Sequence, residues 1–592
     1  MQLQGQYVLI LGLGASGLAM ARWCAHAGAV VSVADTRDAP PQLATLQAEW
    51  PQVKFVSGPL VAGLVEGTPV QAVFRSPGLA PEMVAPVVQA AQAMGLWQGG
   101  ELSLFAAGLQ ALKERFAYAP QVLAITGTNG KTTVTSLTGQ LVARAGKTVK
   151  VAGNIGPTLL DTLRQAILEA EAEVALKAAE LPDATQAIEV ADSIGAPEGM
   201  NLRDPDDTGD NVTKSVADAD VDVDVDVDVV ADTDVNEEAV SAVLIAPVAP
   251  VRIHPMAQAL PQVWVLELSS FQLDSSEGFE PTAAAVLNIS QDHLDWHGSM
   301  AAYADAKARI FGKHALMVLN REDPLVMAMR PAPVRAKLQK PIERASITFG
   351  GDMPMRPGDF GIEVTNGMTW LVRALEADET RRRRKDEAEE IHIQRLIPAD
   401  ALRIRGRHNA VNALAALALA ASAGCALGPM LYGLREYRGE PHRVESVAIL
   451  NEVEYFDDSK GTNVGASVAA LQGLGADRRV VIILGGEGKG QDFGPLAAPV
   501  ARFARAVVLI GRDASLIREA LSGTGVVLQD ATDMVDAVAQ AAILAKSGDA
   551  ILLSPACASF DMFDHYEHRA QVFCRAVAEL AETAGLVMEG GV

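Results

Sequence analysis

Short apolar runs recur along this chain, each followed by a loop bearing glycine or an acid and then by a longer alanine-rich pattern. Tyr7-Val8-Leu9-Ile10-Leu11, Val30-Val31-Ser32-Val33-Ala34, Val122-Leu123-Ala124-Ile125 and Val263-Trp264-Val265-Leu266 are of this kind, and Val286-Leu287-Asn288-Ile289 predicts a further strand. Strands that alternate with helical patterns build open parallel sheets. The pattern therefore predicts an α/β protein in three sections, 1–110, 111–439 and 440–592. The longest apolar stretch, 410–430, is mostly alanine, is broken by Asn412, Ser422 and Gly424, and predicts a buried helix in place of a membrane span.

The length of 592 residues requires several cores. The net charge of −24 is local: residues 165–260 hold 22 Asp and Glu against 4 Lys and Arg, a net of −18 that leaves −6 elsewhere. Within them, 218–229 is an almost pure Asp-Val alternation, whose like charges repel, so a disordered acidic insertion at about 165–260 is expected. A smaller insertion is expected at about 376–392, around Arg381-Arg382-Arg383-Arg384-Lys385, as a solvated helix or loop with no nucleic-acid site. Cys24, Cys425, Cys557 and Cys574 lack metal-ligand spacing and read as reduced thiols, and the first residues lack a signal-peptide pattern, so a cytoplasmic chain is expected.

The candidate chemistry begins at 126–133, Thr-Gly-Thr-Asn-Gly-Lys-Thr-Thr, between a strand and a helix. Gly127 and Gly130 let backbone N–H groups turn toward phosphate, Lys131 supplies a mobile charge, and the Thr132 hydroxyl suits Mg²⁺. Ile125 stands where the general phosphate-loop pattern has its first glycine. A second loop, Gly12-Leu13-Gly14-Ala15-Ser16-Gly17, with Asp35 ending the next strand, is a dinucleotide-type fingerprint and fits NAD or another diphosphate, a nucleotide sugar included. Glu267 ends a strand where a parallel sheet meets nucleotide, and a metal or phosphate role is favoured for His293 in Gln291-Asp292-His293-Leu294-Asp295.

These stretches, with Gly153-Asn154-Ile155-Gly156, Glu267-Leu268-Ser269-Ser270-Phe271-Gln272-Leu273, Ala306-Lys307-Ala308-Arg309-Ile310, Gly406-Arg407-His408-Asn409, Pro441-His442-Arg443, Asp457-Asp458-Ser459-Lys460-Gly461-Thr462-Asn463 and Leu553-Ser554-Pro555-Ala556-Cys557-Ala558-Ser559, resemble the Mur ligases in order and from end to end. The likeness is strongest to the members that add D-glutamate. It implies an N-terminal Rossmann-like domain, a central P-loop ATPase-like parallel sheet and a C-terminal Rossmann-like domain.

The resemblance further implies ATP-dependent ligation of D-glutamate to UDP-N-acetylmuramoyl-L-alanine through an acyl phosphate. ATP would lie on Gly127, Thr128, Asn129, Gly130, Lys131, Thr132 and Thr133, with Asn409, Arg443 and Asp458; Lys131, Glu267, His293, Lys307, Arg443 and Lys460 would be catalytic. Two Mg²⁺ ions would use Thr132, Glu267, His293 and Lys307, the last as a CO₂-derived carbamate, although an exposed helical lysine is the ordinary reading of Ala-Lys-Ala-Arg. Ser16, Asp35, Thr36, Arg37, Gly78, Asn154 and His293 would hold the UDP-sugar, and Lys489, Thr462, Ser559 and Tyr566 the D-glutamate; the family commonly has Phe at Tyr566. A monomer with no membrane span is implied. The rival readings are a sister ligase, an NAD-dependent oxidoreductase and a non-catalytic scaffold.

Overall fold

A computed structural model describes residues 3–180, 253–334, 341–377, 390–476 and 478–586. Two units divide the chain, Met1–Ala172 with His254–Val592, and Glu173–Ile253; the sheets and sites below belong to the first.

In the first sheet, β1 (Tyr7–Leu11), β2 (Val30–Asp35), β3 (Lys54–Ser57), β4 (Ala72–Arg75) and β5 (Trp97–Gly99) run parallel in the order β3-β2-β1-β4-β5. The winding reverses between β1 and β4, which opens a crevice at their carboxyl ends. Ser76 N donates to Leu11 O there at 2.8 Å, bringing the loop before Gly78 beside the glycine loop. Helix Ala15–His26 then leaves so close to β1 that a Cβ on Gly17 would stand 2.0 Å from Gly12 O.

The second sheet holds β6 (Gln121–Thr126), β7 (Val149–Gly153), β8 (Val263–Glu267), β9 (Ala283–Val286), β10 (Leu316–Asn320) and β11 (Ser346–Phe349), all parallel, in the order β11-β10-β9-β6-β8-β7. β8 and β9 are buried at every position, which is why they read as unbroken apolar runs. The strand expected at 286–289 instead ends at Val286: Asn288 turns its groups onto the phosphate loop, its O accepting from Thr128 N and its Oδ1 from Asn129 N, and so leaves the ladder.

Three strands follow that the sequence did not announce. β12 (Phe360–Thr365), β13 (Met368–Glu376) and β14 (Ile391–Pro398) form an antiparallel sheet whose Phe360, Ile362, Leu371 and Ile397 share the core of the second sheet. The apolar stretch 410–430 lies in two helices, Arg407–Ser422 and Leu427–Glu436, separated by Gly424 in the left-handed region. Among the described residues no helix is long and apolar enough to cross a membrane.

In the last sheet the β15 (Glu445–Leu450) and β16 (Val453–Asp457) hairpin joins four parallel strands, β17 (Val480–Gly485), β18 (Ala504–Ile510), β19 (Val527–Asp530) and β20 (Ala550–Leu553). The order is β15-β16-β20-β17-β18-β19, and β20, returning between β16 and β17, brings Ser554 beside Asp458.

The region expected as an acidic insertion begins inside helix Leu159–Glu180, which buries Ala166 and Ala170, and ends with helix Pro255–Ala259. Its middle, 181–252 with the Asp-Val alternation, and most of 376–392, namely 378–389, lie outside the described residues.

Gly17→Ala is expected to destabilise the chain by roughly 2–3 kcal/mol, because backbone and not a flexible side chain blocks the added methyl group. Urea unfolding checks this, and an unchanged midpoint would contradict the packing described.

Candidate active site

β6 delivers Thr126, and the chain then curls through 127–130 into helix Lys131–Arg144. Gly130 has φ +82°, and a Cβ there would lie 2.7 Å from Asn412 Oδ1, so both conformation and space require glycine. Neighbouring strand ends brace the loop: Asn129 N donates to Asn288 Oδ1 at 2.8 Å, Asn288 Nδ2 donates to Asn129 O at 3.1 Å, and Thr128 Oγ1 shares a 3.1 Å hydrogen bond with Tyr303 Oη. Lys131 Nζ donates to the carbonyls of Gly127 and Thr128 at 2.9 and 2.8 Å.

Lys307, an exposed helical lysine on the ordinary reading, is 1% exposed. Helix Met300–Ala308 carries it under the phosphate loop, where its Nζ donates to Gly127 O at 2.9 Å and Thr126 Oγ1 at 3.3 Å and lies 4.7 Å from the Tyr303 ring centre. Burial, and then the charge of Lys131, hold its pKa well below the usual lysine range against Asp292 and Glu267. The Lys131 pKa is also lowered, first by burial, with Arg443 and Lys460 adding and Glu267 and Asp292 opposing.

Glu267 ends β8, 1% exposed. Its Oε1 accepts from Asn154 Nδ2 at 2.8 Å, whereas its buried Oε2 has no hydrogen bond among the described residues. An orphan carboxylate oxygen facing the cleft of a phosphate loop fits a hard divalent cation, with the Thr132 hydroxyl as a second oxygen donor. His293, left-handed at φ +53°, packs 4.7 Å from the Phe271 ring centre.

The last sheet closes over this loop. Arg443 Nη2 donates to Thr132 Oγ1 at 2.9 Å, and Asn463 Nδ2 donates to Asn129 Oδ1 at 3.2 Å and to Asp292 Oδ2 at 3.4 Å. A cleft of about 720 Å³ results. Thr128, Asn129, Lys131, Thr132, Asn154, Glu267 and His293 line one side, and Arg443, Lys460, Thr462, Lys489, Ser559 and Tyr566 the other. Lys460 lies 5.4 Å from the Tyr566 ring centre and Lys489 lies 5.6 Å from that of Phe560. A smaller cavity of about 90 Å³ gathers Gly130, Thr133, Asn409, Arg443 and Asp458.

The residues expected on the UDP-sugar divide. Asn154 and His293 face the cleft, whereas Ser16, Asp35, Thr36, Arg37 and Gly78 belong to the first sheet and its loops. Asp35 is 1% exposed and fully engaged: Oδ2 accepts from Leu13 N at 2.7 Å and from Arg37 Nη2 at 2.8 Å, and Oδ1 from Arg37 N and Nε. The Arg37 guanidinium holds this carboxyl down at about 2. Asp35 thus fastens the glycine loop and presents a half-exposed Arg37, an arrangement unlike the unpaired acid a dinucleotide ribose needs.

Asn288, Asn463, Asp292 and Tyr303 were not singled out from sequence, although all but Tyr303 lie within stretches that were. Their spacing carries no mark of contacts such as those of Asn288 and Asn463 with Asn129, across 159 and 334 residues.

A phosphate loop on one wall of a cleft, an orphaned carboxylate beside it and a separate α/β sheet as the other wall define a multidomain nucleotide-using enzyme. The model described as Mur ligase middle domain matches residues 125–191 and 248–420, the Mur ligase glutamate ligase domain matches 442–557, and the Mur ligase MurD-like N-terminal domain matches 6–98. A UDP-N-acetylmuramoylalanine–D-glutamate ligase of Albidiferax ferrireducens is 59% identical over 99% of both chains, and one of a Polaromonas species is 51% identical over 99% of this chain and all of its own. A solved UDP-N-acetylmuramate-alanine ligase of Thermotoga maritima is 16% identical, with a TM-score of 0.47, over 97% of this chain and 99% of its own. The chain belongs to the Mur ligase family.

Asp458, buried and accepting from Ser554 Oγ at 2.6 Å, is pushed up to about 7 by burial. The fold thus favours its protonated form, and the stability this adds at low pH is lost as pH rises through that value. Asp458→Asn is expected to flatten the fall in the urea midpoint between about pH 4 and about pH 7; parallel profiles for variant and wild type would contradict it.

Proposed function

We propose that the chain joins D-glutamate to UDP-N-acetylmuramoyl-L-alanine at the expense of ATP, in the synthesis of peptidoglycan precursors. The observation that carries this reading is the single cleft in which the phosphate loop and Glu267 face Lys489, Thr462, Ser559 and Tyr566. The relatives named for that activity match this chain over nearly its whole length. The sister-ligase reading loses ground to those names, and the NAD reading to the occupied Asp35.

A carboxylate cannot lose oxide to an amine, so the terminal carboxylate of the sugar-linked alanine first accepts the γ-phosphoryl group of ATP. The D-glutamate amine then attacks the acyl carbon, and phosphate leaves. Phosphate oxygens gain charge in both steps, and Lys131, Arg443 and Lys460, which line the cleft, would hold it. Thr132 and Glu267 would hold Mg²⁺, with His293 beside a second ion, and the metal would supply charge neutralisation. Asn409 and Asp458 would contact adenosine, and the first sheet, through Ser16, Arg37 and Gly78, the uridine diphosphate. Closure of the sections 1–110, 111–439 and 440–592 would keep water from the acyl phosphate.

Lys307 as an ammonium only donates hydrogen bonds and has no lone pair for a cation. Its depressed basicity leaves an unprotonated nitrogen for CO₂, and the resulting carbamate would be an anionic ligand. One chain supplies every group of the cleft, so the reading needs only a monomer, and four unpaired cysteines with ATP as substrate support a cytoplasmic setting.

Phosphate release with ATP, Mg²⁺ and bicarbonate is expected to require both UDP-N-acetylmuramoyl-L-alanine and D-glutamate, with L-glutamate and L-alanine inactive. Release with another amino acid would transfer the chain to a sister activity. Lys131→Ala should lower kcat at least about a hundredfold with the melting temperature kept. A ¹³CO₂-derived carbamate signal should be present in the wild type and absent in Lys307→Ala.

A further inference from the structure

Glu101 begins helix Glu101–Phe116 and is 2% exposed, between the first sheet and helix Leu159–Glu180. Its Oε1 accepts from Leu160 N at 3.0 Å. Its Oε2 is cut off from solvent and has no hydrogen bond of good geometry. Ser16, in the first turn of the helix that follows the glycine loop, is the neighbouring hydroxyl, and the charge that acts on the carboxyl is that of Asp161, itself bound by Arg22 at 3.3 Å. A buried carboxylate with one hydrogen bond of good geometry is costly as an anion, and far less so as an acid that can donate.

A serine hydroxyl has one hydrogen. Facing an ionised carboxylate, it spends that hydrogen on the carboxylate and offers an incoming diphosphate only lone pairs, in front of a second negative charge. Facing a protonated carboxyl, it accepts from the acid and keeps its hydrogen for the diphosphate. We propose that Glu101 is a positioning residue for the diphosphate of the nucleotide sugar: as the neutral acid, it donates from Oε2 to Ser16 Oγ and turns the Ser16 hydroxyl hydrogen toward a phosphate oxygen. This rests on the reading that the glycine loop of the first sheet holds that diphosphate. Burial raises the Glu101 pKa, as does Asp161, whereas Ser16 and the Leu160 and Leu159 amides oppose the rise.

The protonated form binds, so affinity falls as pH rises through the carboxyl pKa. Calorimetric titration of the full chain with UDP-N-acetylmuramoyl-L-alanine, whose diphosphate diester keeps its charge over this range, is expected to show wild-type binding weakening at least about tenfold from about pH 6 to about pH 9. Glu101→Gln, whose amide accepts from Leu160 N and donates to Ser16 Oγ, should bind within about threefold of wild type at the lower pH and show no such slope. Glu101→Ala should bind roughly ten- to a hundredfold more weakly throughout. Should the alanine variant not fold, the wild-type slope and the glutamine variant decide. A flat or rising wild-type profile, or a glutamine variant that keeps the wild-type slope or binds poorly, overturns the role of Glu101 while leaving the substrate reading intact. No binding by the wild type at any pH overturns both.

Discussion

Four basic side chains, Lys131, Lys307, Arg443 and Lys460, converge on a partly or fully buried site, where Glu267 acts on all three lysines and Asp292 on Lys131 and Lys307. Burial first, and then the like charges beside them, hold the pKa values of Lys131, Lys307 and Lys460 below the usual lysine range. The site tolerates this because oxygens take the donors: Gly127 O receives both Lys131 and Lys307, and Thr132 Oγ1 receives Arg443. Such an arrangement is complementary to a polyanion. It is least strained when phosphate charge fills the cleft, which is also the moment at which phosphoryl transfer needs it.

The sheets explain why the charges meet at one place. Parallel strands end on one edge, and β6, β8 and β9 are adjacent in the second sheet, so Thr126, Glu267 and the Asn288 loop open side by side. In the last sheet β16 and β20 are neighbours, which gives Asp458 its Ser554 partner and places Lys460 beside them. Arg443 to Thr132, the mutual amide pair of Asn129 and Asn463, and Asn463 to Asp292 join the two edges. In the first sheet Asp35 fastens the glycine loop at that sheet's own switch point.

Much of the architecture and the candidate site was legible before folding, because phosphate binding constrains a short local stretch. Thr-Gly-Thr-Asn-Gly-Lys-Thr-Thr must curl, and strands buried on both faces must be apolar runs, so periodicity and glycine spacing suffice for both. The three antiparallel strands β12 to β14 were missed because they hide among charged stretches and make their contacts across a turn and a bulge, not within one window. The strand at 283–286 was placed three residues late because Leu287 and Asn288 look apolar or neutral in sequence while their hydrogen bonds go to the phosphate loop.

The sequence by itself determined the α/β class, the phosphate loop, and Glu267 at a strand end, since each depends on neighbours a few residues apart. Only the tertiary structure decided that Lys307 is buried under that loop, that Glu267 keeps one oxygen without a partner, and that Glu101 lies sealed beside Ser16. Burial and pairing are set by residues distant in the chain, 181 apart for Lys307 and Thr126. They fix the cost of each charge, and no local pattern encodes that cost.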